Sequence, residues 1–128
     1  QRPGGDFNPE TDVDYDTLRA QTIYFGFDST VIAASQRQKL DQISEWLQAN
    51  PGKQLLLAGH TDDRGTLEYN RGLGERRAQA VRDYLIGLGV SGSSLHTLSY
   101  GEERPIAFGT SENDYAKNRR VQAGVILQ

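Results

Sequence analysis

The sequence predicts a mixed α/β (α+β) sandwich: two long helices on one face of a small four-stranded sheet, in the order β-α-β-α-β-(α)-β. Three observations predict it. The apolar period switches repeatedly between two and about 3.6 residues along the chain. One short run, Gln54 to His60, is almost wholly apolar, as in an interior strand covered on both faces. The chain is 128 residues long, room for one ordinary core and not two.

Each element follows from local pattern. Residues 1–17 mix Pro, Gly and acidic residues without a sustained period, so they read as a flexible acidic linker or N-terminal arm ahead of a domain over 18–128. Fully extended, such a segment reaches on the order of 55 Å. Gln21 to Asp28 alternates, with Ile23, Phe25 and Phe27 on one side, and reads as a strand. Ser35 to Asn50 sets Leu40, Ile43 and Leu47 at helical spacing beside Trp46, and Asn50-Pro51-Gly52 stops it. After the interior strand, Thr66 to Leu88 is a long helix with Thr66 as N-cap and Gly89 at its C-terminal end. Leu95 to Tyr100 is a third strand, 112–118 a helical turn, and Val121 to Leu127 a fourth strand.

Charge and composition exclude several function classes. Residues 1–17 hold Asp6, Glu10, Asp12, Asp14 and Asp16 against Arg2 alone; the total charge of −3 therefore leaves the remainder close to neutral. No concentrated basic face exists for nucleic acid. Cysteine is absent, which removes disulfides, thiolate metal sites and cysteine nucleophiles. No stretch approaches the roughly 20 apolar residues of a membrane-spanning helix, and no cleavable leader is visible at Gln1.

Two anomalies mark the candidate site. In the second long helix, Leu73, Ala80, Val81, Tyr84, Leu85 and Leu88 form an apolar stripe, and Arg77 falls roughly 40° from Leu73, inside it. A guanidinium in that position needs an acidic partner or an anionic ligand, because an unpaired buried charge is costly. An internal salt bridge satisfies this as well as a ligand does. Arg76 points to the stripe's edge and is readily solvated. The second anomaly, Gly59 to Gly65, concentrates Asp62, Asp63 and Arg64 at the carboxyl end of the interior strand, where crevices open in α/β sheets. Asp62 and Arg77 can line one mouth and grip the two ends of a zwitterion. Equally, Asp62 can cap the loop and bond Arg77. Asp28 reads by default as a turn residue and Asn70 as a brace for the preceding loop. Enzymatic motifs are weak: no nucleophile elbow, phosphate loop, dinucleotide fingerprint or metal-ligand spacing occurs, and a His60–Asp62 catalytic pair is a minor alternative. No catalysis, cofactor or metal is expected.

Four blocks carry a resemblance: IYFGFDS (23–29), GHTDDRGTLEYNRGLGERRAQAV (59–81), SYGEERP (99–105) and YAKNRRV (115–121). In order and spacing they resemble the OmpA-like peptidoglycan-binding domain, in its peptidoglycan-associated lipoprotein branch, over residues 21–127. The resemblance implies noncatalytic binding of the stem peptide of peptidoglycan through its diaminopimelate residue. It implies that Asp62 meets the ammonium and Arg77 the carboxylate. Phe27 and Asp28 would border the pocket, and Thr61, Arg64, Asn70 and Leu73 would line or brace it. It also implies the periplasmic face of the outer membrane, a lipid tether ahead of residues 1–17 that this sequence does not include, and a TolB-like periplasmic partner within the Tol-Pal system of the cell envelope and cell division. A protein–protein module of that system without peptidoglycan binding is the alternative. Ala58, Asp63, Leu67 and the Gly109-Thr110-Ser111 turn depart from the commoner family residues, and none of them is Asp62 or Arg77.

Overall fold

The computed structural model describes residues 7–127. Its elements are β1 (Val13–Asp14), β2 (Ile23–Tyr24), α1 (Arg37–Ala49), β3 (Leu55–His60), α2 (Leu67–Gly87), β4 (Leu95–Gly101), α3 (Glu112–Asn118) and β5 (Arg120–Ile126), with three short 3-10 turns between them. The strands form one mixed sheet in the order β1-β5-β3-β4, with β2 also paired to β5. β3 runs parallel to β4, the two joined through α2, and antiparallel to β5. With a neighbour on each edge and a layer over each face, all six residues of β3 are buried, which is why its sequence is apolar without alternation.

The two faces carry different packing. Leu55 and Leu57 of β3, with Val121, Ala123 and Val125 of β5, meet Leu40 and Ile43 of α1 and Ala78, Val81 and Leu85 of α2 in the main core. Leu56 and Ile126 point the other way and are covered by Val13, Phe7 and Tyr15. The helix α2 lies unusually close to the sheet. A Cβ added at Gly59 would stand 1.9 Å from the carbonyl oxygen of Gly74, so two glycines permit direct backbone contact there. The far end of α2 closes on Gly89 in the left-handed region (φ 102°), with Val90 N donating to Leu85 O.

Three expectations change. The sheet has five strands, not four, because the segment expected as a linker contributes one: Val13 and Asp14 pair with Ile126 and Val125. Phe7, Val13 and Tyr15 supply apolar cover for a sheet face that would otherwise be wet, and Glu10 accepts from Tyr100 and Arg104. The part of that expectation falling on residues 1–6 lies outside the described residues. The first strand is also shorter than its alternation suggests. Ile23 and Phe25 are buried as expected, but Phe27 is 62% exposed, and beyond Phe25 the carbonyls of Gly26 and Ser29 accept from Arg77. Finally, the buried face of α2 includes Asn70 and Gly74, and Leu88 is exposed.

Candidate functional site

A cavity of about 200 Å³ opens where β3 ends and α2 begins. All eight residues singled out from the sequence line it: Phe27, Asp28, Thr61, Asp62, Arg64, Asn70, Leu73 and Arg77. Gly65 and Tyr69 complete the wall. A larger, open groove of about 790 Å³ runs between α2 and the edge strand β4, but none of the eight reaches it. Charge, burial and backbone strain converge on the smaller cavity.

Three loops build it. The end of β3 delivers Thr61, whose N donates to Gly101 O at 2.9 Å, and then Asp62. Gly65, at φ 105°, turns the chain into α2, where Thr66 caps the helix by accepting from Tyr69 N. Helical spacing then lays Asn70, Leu73 and Arg77 along one buried face. Asn70 Nδ2 donates to Asp62 O at 3.3 Å and to Glu102 Oε1 at 2.7 Å, tying the floor to the loop after β4. The third loop, 26–29, closes the front. Within it Asp28 holds φ 51°, a left-handed conformation uncommon outside glycine, and its carboxylate accepts from the Tyr69 hydroxyl.

Arg77 does not form the internal salt bridge that was one of its two alternatives. It has no accessible surface, and no carboxylate among the described residues lies within ion-pair reach. Its Nε donates to Ser29 O at 2.9 Å, Nη1 to His60 O at 2.9 Å and Nη2 to Gly26 O at 3.1 Å. Three main-chain dipoles therefore hold a cation that no side chain neutralises. Burial pulls its pKa down to about 10, the Asp62 charge opposing this, so the guanidinium stays charged at neutral pH.

Asp62 is bonded to other arginines instead. Arg64 grips it through Nη2–Oδ2 at 2.9 Å, Nε–Oδ1 at 3.3 Å and its backbone N at 3.1 Å. Arg119 Nη1 approaches Oδ2 at 3.4 Å. Burial pushes the Asp62 carboxyl up, but these hydrogen bonds and charges outweigh it and hold the group below the ordinary carboxylate range. Arg64 itself lies between the rings of Phe27 and Tyr115, at 4.2 and 4.1 Å from their centroids.

His60 takes no part in this chemistry. Its ring lies on the sheet face away from the helices, stacked at 5.5 Å on Tyr100, and its buried Nδ1 has no hydrogen-bond partner. Burial, reinforced by Arg120 and Arg104, pushes its pKa down to about 3, so it is neutral. The His60–Asp62 pair does not form.

The comparisons with known proteins agree with the fold. The model of the OmpA family matches residues 24–119. The chain belongs to the OmpA family. It is 50% identical over 102 residues to the peptidoglycan-associated lipoprotein of Haemophilus influenzae, covering 80% of this chain and 67% of that protein. It is 50% identical over 106 residues to the protein of the same name from Pseudomonas putida, covering 82% and 63%. The chain thus spans about two thirds of the length of these relatives. The crystal structure of the peptidoglycan-associated lipoprotein from Burkholderia pseudomallei superposes with a TM-score of 0.80 at 37% identity, over 92% of this chain and 99% of that one. The cell wall anchor of the type VI secretion system from Pseudomonas aeruginosa gives 0.68 at 30% identity, over 84% and 80%.

In this OmpA-family chain, sequence reasoning missed Arg119, Glu112 and Tyr115. The signal was available for one of them. Arg119 and Arg120 are consecutive at the head of an apolar strand, so both side chains enter covered surroundings; they are 6% and 2% exposed. Glu112 and Tyr115 carry no such mark, because nothing in a polar helical turn indicates which loop it faces.

Proposed function

We propose that this chain is a noncatalytic peptidoglycan-binding module that holds the outer membrane to the cell wall, and that the cavity takes the diaminopimelate residue of the stem peptide. One observation carries the reading: Asp62 and Arg77 share a cavity without being paired to each other. A diaminopimelate side chain ends in an ammonium and a carboxylate on one carbon, so it needs an anion and a cation within one small space. Asp62 meets the ammonium. Arg77, wholly covered, acts on the carboxylate as an un-neutralised charge behind the floor, where the low dielectric strengthens it.

The names of the relatives support attachment to peptidoglycan and a place at the periplasmic face of the outer membrane. A lipid anchor ahead of the sequence and a TolB-like partner of the Tol-Pal system rest on the family resemblance. In this reading the mechanism is binding without turnover, with fixed charges of opposite sign holding the two ends of the ligand.

The test is a titration with a diaminopimelate muropeptide and its lysine counterpart. The lysine form lacks the side-chain carboxylate, so it should bind more weakly by about tenfold, the loss of its attraction to the covered Arg77 charge. Equal affinity for the two would overturn the diaminopimelate reading. Absence of binding to either, with capture by TolB retained, would leave a protein–protein module.

A further inference from the structure

Asp62 presents a difficulty for any ligand ammonium. Its carboxylate already faces two guanidiniums, Arg64 at 2.9 Å and Arg119 at 3.4 Å. A single anion flanked by two cations is over-neutralised and repels a third. The same two arginines, however, are held from behind by one further carboxylate. Glu112 Oε2 accepts from Arg119 Nη2 at 2.9 Å, and Oε1 stands 3.8 Å from Arg64 Nη2. Asp62, Arg64, Glu112 and Arg119 therefore alternate in sign around a closed ring. Glu112 belongs to α3 and is not part of the cavity wall.

We propose that Glu112 is a positioning residue that sets the cavity's selectivity for a cationic ligand group, by taking charge from Arg64 and Arg119 and so returning anionic character to Asp62. This rests on the reading of Asp62 as the ammonium acceptor given above. The geometry of α3 serves the role. Ser111 and Asp114 form a reciprocal capping box that fixes the start of the helix without Glu112, Ser111 Oγ donating to Asp114 at 2.7 Å and accepting from its N at 3.1 Å. Tyr115, three residues on, presses its ring on Arg64 at 4.1 Å, opposite Phe27. Arg64 is thereby clamped by faces as well as by charge, and losing Glu112 alters its charge balance more than its position. Arg119 is held independently through Nε to Phe25 O at 2.9 Å.

The magnitude is bounded by exposure. The Glu112 side chain is 67% exposed, so solvent screens it and its effect is that of a surface pair, roughly two- to fivefold in affinity. The experiment compares the wild type with Glu112→Gln and Glu112→Asp against three muropeptides: diaminopimelate, lysine, and diaminopimelate acetylated on its side-chain amine. Glu112→Gln should lose roughly two- to fivefold on the first two and nothing on the acetylated one, with Glu112→Asp restoring most of the loss. The loss should shrink as salt is raised. Without ligand, the Asp62 carboxyl titration followed by NMR should move to lower pH in Glu112→Gln, because an anion beside its two arginines is removed. An unmoved Asp62 titration, an equal loss on all three peptides, or no loss at all would overturn the proposal. If the wild type binds none of the peptides, the diaminopimelate reading fails instead, and an Asp62 titration that still moves separates the two failures.

Discussion

Arg77 Nε donates to the carbonyl of Ser29 at 2.9 Å, so a residue in the middle of α2 holds the front loop of the cavity in place. The same guanidinium reaches the last residue of β3 through His60 O. One side chain therefore ties the front loop, the end of β3 and α2 together.

Arg77→Ala should lower unfolding free energy by about 2–4 kcal/mol in urea denaturation, because three carbonyls lose a charged donor in a covered position. Arg76→Ala, one residue away on the exposed side, should stay within about 0.5 kcal/mol. Similar values for the two variants would mean that the three carbonyl bonds carry little of the fold.

Close contact between α2 and β3 gives a second expectation. Gly59→Ala places a methyl group 1.9 Å from Gly74 O, and neither backbone can yield without separating helix from sheet. A loss of about 3 kcal/mol or more is expected, with the cavity deformed. Gly87→Ala, with nothing within 4 Å of the added carbon, should instead stabilise by about 0.4–1 kcal/mol. Thermal melts of both variants check the pair, and a tolerated Gly59→Ala would contradict the packing described.

Acid sensitivity follows from His60. Its pKa is pushed down to about 3 by burial and by Arg120 and Arg104, against about 6.5 when unfolded. Above 6.5 both states are neutral and the full stability is present. Between 6.5 and 3 only the unfolded chain takes the proton, so stability falls with falling pH by up to about 1.4 kcal/mol per pH unit. His60→Phe should flatten that slope, leaving a smaller one from His96, which burial also lowers. Denaturation midpoints at pH 7, 6 and 5 decide it; parallel curves for variant and wild type would rule this account out.

Much of the fold was legible because period and burial coincide. β3 is apolar on both faces, and α2 has an N-cap and a left-handed glycine where its pattern begins and ends. The short β1 was not, since two residues in an acidic Pro- and Gly-containing segment have no period; they become a strand only because β5 offers an edge. The eight candidate residues do line one cavity; spacing accounts for Asp62 and Arg77, which share a strand–loop–helix unit, whereas Phe27 and Asp28 come from a separate loop that only the family resemblance placed there. What spacing could not reveal is the wiring. Arg77 looks from sequence like half of an ion pair or the cation for an anionic ligand, and only the tertiary approach of residues 26–29 shows the carbonyls that hold it. Asp62 reaches Arg119 across 57 positions of chain, beyond any local pattern.

The strand that the N-terminal segment adds has a mechanical meaning. β1 joins the sheet beside Ile126 and Val125, at the level of Leu55, while the cavity lies past His60 at the other end of β3. Phe7 sits by His96, again at the distal end. On the binding reading proposed above, tension between Phe7 and a ligand in the cavity would be directed lengthwise, roughly 15 Å along the strands, loading the β3–β5 ladder in shear, with its rungs resisting together, and not unzipping it one rung at a time.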